Sequence, residues 1–204
     1  TLNLADMAIM VPAIPENDRG LLHAGAAILA IAFLVKAAAW PLNFWLPMAY
    51  SSAAAPVAAL FAIMTKLGVY AILRVWTLLF PQDAGVSALF GGPVLVGLGL
   101  ATLTFGIIGV IASQHLNRMV AFCAIVSSGT LLAALGFGQP AVTGGALYYT
   151  LGSTLAVSAF FLLTELIDRT REVEENPIYV SEVEPDESFA HPVDLVPVRD
   201  VNLD

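Results

Sequence analysis

The sequence predicts an all-α, polytopic transmembrane bundle with five transmembrane helices. Three observations carry that prediction. Of the 204 residues, 58% are hydrophobic and 12% are charged, about half the charged share of an average soluble domain. The apolar residues fall in long, nearly uncharged blocks rather than amphipathic stripes, as expected of segments facing lipid. No strand-like alternation is visible, and backbone in hydrocarbon must satisfy its own hydrogen bonds, which leaves helices.

In chain order, residues 1–20 (TLNLADMAIMVPAIPENDRG) read as an extracytoplasmic, polar-flanked lead-in whose Pro12 and Pro15 limit helix. A first apolar block over 21–50 contains Lys36 and is broken by Pro41 and Pro47, each of which removes a backbone donor and clashes with the preceding turn. The second block, 56–80, holds Lys66, with Arg74 near its end, and PQDAG at 81–85 reads as a turn. A third block covers 92–112, SQHLNR at 113–118 is a short polar loop, and a fourth covers 119–137. After the turn GQP, a fifth runs over 143–164. Each block can cross a hydrocarbon core of about 30 Å at about 1.5 Å per residue. Gly106 and Gly109 in the third, and Gly144, Gly145 and Gly152 in the fifth, can let helices approach closely. The abundance of glycine in membrane helices explains them equally well.

The charge is unevenly spread. Residues 165–204 hold 12 acidic and 3 basic side chains, whereas residues 1–164 hold 4 acidic and 5 basic. The segment from Glu165 onward, with Pro177, Pro185, Pro192 and Pro197, reads as an acidic linker or tail. A docking role for its acidic groups is the alternative. Five crossings place Arg118 and the Arg169–Arg171 pair on one side, which the positive-inside rule makes cytoplasmic, although Arg19 and Arg74 flank the other. Thr1 at the start, with no secretory signal, reads as the interior of a longer chain. The single Cys123 reads as a small core hydrophobe. No zinc spacing, nucleotide-binding loop or nucleophile elbow occurs, so no metal, cofactor or catalytic residue is expected. The low basic content argues against nucleic acid.

The residues that carry chemistry are the two lysines inside apolar blocks. Lys66 lies ten residues after Pro56, about 15 Å along a helix and hence near the bilayer centre. Lys36 lies five residues before Pro41. An ionised lysine at that depth costs at least about 2.5–3.5 kcal/mol and faces a bundle interior or a wet cavity. Desolvation disfavours its charged form and a nearby carboxylate favours it. A lysine poised between those influences can take up and release a proton. The alternative is a static ion pair that only fixes helix packing. The stretch WPLNFWLPMAY (40–50) suits a broken helix lining an ion path, while Trp40, Trp45 and Tyr50 can instead mark an interfacial belt. Ser127, Ser128 and Thr130 offer a polar path, or bond back to their own helix. Tyr148, Tyr149, Ser153 and Thr154 have similar status, and His23 and His115 sit at block ends and read as solvated.

FLVKAAAWPLNFWLPMAYSSAAAPVAALFAIMTKLGVYAILR (33–74), QHLNRMVAFCAIVSSGTLL (114–132) and YYTLGSTLAVSAFFLL (148–163) resemble the signature stretches of the proton-conducting membrane transporter family. That family comprises the antiporter-like subunits of respiratory complex I and the A-type and D-type subunits of the multisubunit Mrp/Pha monovalent cation/proton antiporters. The lead-in TLNLADMA, the form WLPMAY and IVSSGTLL are most similar to the D-type subunits of the Pha antiporters. Complex I relatives read WLPDAH where this chain has Met48 and Tyr50, and relatives carry histidine where Ser127 or Gly152 stands and lysine where Asn117 stands. The resemblance implies helices seven to eleven of a roughly fourteen-helix inverted-repeat protein with a discontinuous helix. Lys36 would be the lysine of the broken seventh helix, paired with a glutamate outside this sequence. Lys66 would be the connecting lysine of the eighth.

The expectation is a secondary-transporter component in a bacterial inner membrane, with an acidic cytoplasmic tail. Other antiporter subunits would be its partners, and it would move protons against K⁺ or Na⁺ without a cofactor. The alternatives are a proton-pumping complex I subunit that itself binds no NADH or flavin, and a membrane scaffold with an acidic recruitment tail.

Overall fold

A computed structural model describes residues 3–82 and 84–175. Helix α1, Leu4–Met10, is capped by the Asn3 side chain, which accepts from the Ala5 N–H at 3.1 Å. It runs into a tight turn at Val11–Ala13. The lead-in is therefore helical for much of its length. Pro12 opens that turn and Pro15 immediately precedes α2 (Glu16–Lys36), positions where proline's missing N–H is not needed. Helix α2 starts five residues before the apolar block because Glu16 and Asp18 suit the positive end of its dipole.

The chain then breaks over residues 37–44 and resumes as the short α3 (Trp45–Ser52). Pro41 lies in the break, but Pro47 lies in the first turn of α3. There its absent donor would have had no partner in any case. Helix α4 is Ala55–Leu79, with Pro56 in its first turn. After a tight turn at Gly85–Ser87 and Gly91 at φ 73°, α5 covers Gly92–Ala112. Helix α6 is Leu116–Gly136, so Arg118 sits in its first turn rather than in a loop. Helix α7 is Pro140–Glu175. It runs past Thr164, where the apolar pattern stops, through Glu165 and Arg169, whose acid-before-base spacing of one turn favours helix. The remaining tail, 176–204, lies outside the described residues.

The described residues contain no strand. Helices α2, α4, α5, α6 and α7 are long and apolar enough to cross a membrane. The chain divides into two compact units, Thr1–Leu166 and Ile167–Asp204; the packing that follows lies within the first.

Helices α5 and α6 form the tightest pair. A Cβ on Gly129 would stand 2.5 Å from the Leu103 nitrogen and 2.8 Å from the Gly99 oxygen, so the two backbones touch. Gly106 and Gly109 are equally crowded, against Val126 and Phe122, while a Cβ added at Gly144, Gly145 or Gly152 would meet nothing within 4 Å among the described residues. Of these five glycines, only those of α5 mark a close approach. A core of Leu46, Tyr50, Ala58, Ala62, Ile125 and Phe161 joins α3, α4, α6 and α7. A second, with Leu34, Ala37, Val69 and Leu132, surrounds the break. A third, with Val11, Ala26, Leu79 and Phe80, ties α2 to the far end of α4. Leu60, Ile63 and Leu67 on α4 and Ile107, Ile108 and Ile111 on α5 point outward, as apolar side chains do when lipid or another helix is their solvent.

Gly129→Ala is expected to destabilise the purified protein by about 1–3 kcal/mol, read as a lower thermal midpoint in detergent. Gly97→Ala on α5, where nothing lies within 4 Å, is expected to leave the midpoint unchanged. Equal midpoints for both variants would contradict the close packing.

Candidate functional site

Alternating small and apolar residues put one broad face of α4 inside: Ala58, Ala62, Thr65, Lys66 and Val69 are all buried. Lys66 is 4% exposed. Its Nζ donates to the Ser127 hydroxyl of α6 at 2.5 Å, and among the described residues no carboxylate lies within ion-pair distance of it. A lysine ammonium carries three donors and a hydroxyl accepts with lone pairs on one oxygen, so a single serine does not satisfy the charged form. A hydroxyl can, however, accept from an ammonium or donate to a neutral amine. Ser127 therefore suits both protonation states of the group it faces.

The three hydroxyls of α6 have three different surroundings. Ser127 meets Lys66 and also lines a cavity of about 630 Å³ shared with Cys123, Tyr148, Tyr149 and Ser153. Ser128 is fully buried, and its Oγ has no hydrogen-bond partner. Thr130 donates to the Val126 carbonyl one turn back at 2.9 Å, which is internal to the helix. On the neighbouring α7, Thr154 likewise bonds back to Thr150.

The break forms a second polar locus. Helix α2 ends with Ala38 at φ 54°, the Ala38 N–H on the Val35 carbonyl at 3.1 Å and the Ala39 N–H on the Leu34 carbonyl at 2.9 Å. That pair of bonds around a left-handed residue is a Schellman end, normally built with glycine. The next donor, the Trp40 N–H, reaches the Thr102 hydroxyl of α5 at 2.9 Å, and Thr102 in turn donates to Leu98. Trp45 Nε1 donates back to the Val35 carbonyl at 3.2 Å. Tyr50 is 1% exposed and donates to the Phe61 carbonyl at 2.5 Å, so it is a core residue rather than an interfacial marker. Asn43, also inside the break, is 2% exposed with its amide nitrogen unpartnered.

Lys36 is the last residue of α2, half-buried, and its side chain makes no hydrogen bond or ion pair among the described residues. Gly68 on α4 seats against it. A Cβ there would lie 2.7 Å from the Ala37 nitrogen and 2.9 Å from the Lys36 carbonyl carbon. Gly68 and Lys66 are two residues apart, about 200° around the helix. The structure thus brings Lys66 and Ser127 together and sets Lys36 on a different flank of α4. Thr102, Gly68 and Asn43 carry no signal in the sequence that separates them from other small polar residues: Thr104, two positions on, only bonds back to Leu100.

The family model described as the transmembrane region of NADH:quinone oxidoreductase and Mrp antiporters matches residues 1–181. The chain belongs to this family. Among its relatives, it is 51% identical over 172 residues to the D-type subunit of a probable K⁺/H⁺ antiporter from Rhizobium meliloti (strain 1021), covering 84% of this chain and 32% of that protein. It is 34% identical over 164 residues to the D-type subunit of a Na⁺/H⁺ antiporter from Bacillus subtilis (strain 168), covering 80% and 32%. A chain in the structure of the Mrp complex from Dietzia sp. DQ12-45-1b superposes with a TM-score of 0.68 at 25% identity, covering 79% of this chain and 29% of that one. The chain therefore spans about a third of the length of the curated relatives it matches. Family membership makes this a multi-pass membrane chain, in agreement with its five spanning helices.

Ser127→Ala leaves the Lys66 amine with no partner in place and is expected to destabilise the purified protein by about 1–3 kcal/mol, whereas Ser127→Thr keeps the hydroxyl and is expected to retain the parent's stability. Thr102→Val removes the anchor of the break and is expected to lower the thermal midpoint, while Thr102→Ser restores it. Thermal midpoints in detergent check both pairs, and indifference to the hydroxyl at either position would refute the contact described there.

Proposed function

We propose that this chain is the lysine-bearing part of a proton-translocating, D-type subunit of a multisubunit monovalent cation/proton antiporter. In this reading it lies in a bacterial plasma membrane beside other antiporter subunits, and protons pass through Lys36 and Lys66 in exchange for K⁺ or Na⁺. The observation that carries the reading is Lys66: a buried amine in the middle of a membrane-length helix, held by a neutral hydroxyl. A static ion pair needs a carboxylate, and none of the described ones meets this amine. The amine can instead exist charged or neutral against the same serine, as a group that loads and unloads a proton must.

Lys36, at the end of a helix whose break is buried in protein, is the second relay position. Its partner carboxylate would come from a preceding helix, as the family resemblance implies. The names of the similar antiporter proteins support exchange of K⁺ or Na⁺ for protons. The protein would act as a secondary transporter and not as an enzyme. A complex I subunit is the second reading, because the family description joins both assemblies. The WLPMAY form of the break favours the antiporter. With Arg118 on the cytoplasmic side by the positive-inside rule, the two crossings of α6 and α7 return the acidic 165–204 segment to that side too.

In vesicles holding the complete assembly, Lys66→Ala and Lys36→Ala are each expected to cut pH-gradient-driven cation flux by roughly 10²-fold or more, the scale of a lost proton-transfer group, with the complex still assembled. Flux equal to the parent's in both variants would leave the lysines as packing groups and support the scaffold alternative. Comparing Na⁺ with K⁺ in the same vesicles identifies the cation.

A further inference from the structure

A polar cluster at the opposite end of α2 from Lys36 belongs to neither lysine. His23 does not project into solvent. Its ring is half-buried, stacks on Phe90 with centroids 4.2 Å apart and planes 9° apart, and lies 6.1 Å from Phe80. His23 Nε2 is 3.0 Å from the Ser87 hydroxyl, and Arg19 Nη1, one turn earlier on α2, donates to that same oxygen at 3.3 Å. Ser87 is 1% exposed, and Arg19 Nε is buried without a partner. These contacts fasten α2 to the segment between α4 and α5. That segment is itself held by Trp76 Nε1 on the Phe90 carbonyl at 2.8 Å and by the Leu89 N–H on the Phe80 carbonyl at 3.1 Å.

We propose that the His23–Ser87 contact is a pH-sensitive clamp that holds α2 against the α4–α5 connection when the imidazole is neutral and releases it on protonation. With neutral His23, one chain of bonds joins the three side chains: Arg19 donates to Ser87, and the Ser87 hydroxyl donates to Nε2. With protonated His23, Nε2 becomes a donor. Two cations then converge on one oxygen, within about 6 Å of each other, and the serine proton loses its acceptor. The Phe90 face attracts the imidazolium, which offsets part of this but supplies no acceptor for either cation.

Nothing described nearby neutralises the pair. The described residues of 81–91 include no acidic or basic side chain, and Asp83 lies outside the described residues. Helix α4 presents Trp76 and Phe80, with Arg74 exposed, while Asp6 on α1 and Glu16 and Asp18 at the start of α2 are exposed. Histidine ordinarily changes charge between pH 5 and 8. Because α2 ends at Lys36, the clamp couples the pH at one membrane face to the relay; that coupling rests on the function proposed above, whereas the clamp does not.

The test uses the full protein in its complex, with Cys123 and every other cysteine of the assembly replaced by serine. Spin labels go on Asn17→Cys in the first turn of α2 and on Val86→Cys, which is 79% exposed beside Ser87. Their distance distribution is measured at pH 8 and pH 5.5. The parent is expected to give a longer and broader distribution at pH 5.5. His23→Gln, which can bond Ser87 but cannot take a charge, is expected to keep the pH 8 distribution at both values. Ser87→Ala is expected to be open at both. An unchanged parent, or a His23→Gln variant that still responds, overturns the clamp regardless of transport. A clamp that opens while the pH profile of cation flux is identical in parent and His23→Gln overturns its coupling to Lys36.

Discussion

An amine held in a low-dielectric bundle by one serine oxygen is the contact to which the rest of the structure answers. Placing Lys66 there requires α4 and α6 to lie close, and the core that joins the two helices holds small residues: Ala58 and Ala62 on α4, Ala121 and Ala124 on α6, all buried. Larger side chains would push the helices apart and lengthen a contact that must be near 3 Å to count. The same closeness excludes lipid. A membrane-depth amine that touched lipid would be ionised only at great cost, and one that touched a carboxylate would hold its proton tightly. Between those extremes, a hydroxyl favours neither protonation state strongly. That neutrality is what a proton carrier requires of its surroundings.

The second constraint is backbone, and it decides where a helix can be broken. In hydrocarbon an unpaired N–H or C=O costs several kcal/mol. The break avoids that cost by three means. The Schellman bonds close the end of α2, Thr102 takes the Trp40 donor, and proline at position 41 has no donor to place. Ala37, Ala38 and Ala39 are at most 1% exposed, so these groups face protein and not lipid. The left-handed Ala38 carries a steric penalty of about 1–2 kcal/mol that glycine would not. Its methyl group fills the core formed with Leu46 and Ala58, a packing gain that glycine would forgo.

Much of this was legible in the sequence because a membrane simplifies the code. Length and hydropathy alone locate a spanning helix, and a lysine inside one is conspicuous. Helix ends were harder. Glu16, Leu116 and Glu175 all lie beyond the apolar blocks, since a helix continues into water wherever its residues tolerate it. Pro47 looked like Pro41 because sequence shows a breaker but not whether it sits inside a turn or at its start. The hydroxyls of α6 were legible as a group and not singly. At about 100° per residue, Ser127, Ser128 and Thr130 point in three directions, and only the phase of α6 relative to α4 selects Ser127. Composition contains the period of a helix but not its rotation. Glycines carried the same ambiguity: a Cβ on Gly106 would strike α6, and one on Gly152 would meet nothing among the described residues.

Helix α4 links the two lysine positions physically. One flank carries Lys66 into α6, and the other, at Gly68, lies against the last residue of α2 with no room for a methyl group. Packed interiors transmit displacement because they have little free volume to absorb it. A shift of the Lys36 carbonyl toward α4 therefore finds no free space at Gly68. A rotation of α4 about its own axis would move both contacts at once, since they lie on different flanks. The end of the broken helix and the buried amine thus contact two flanks of one helix, without any hydrogen bond running directly between the two lysines.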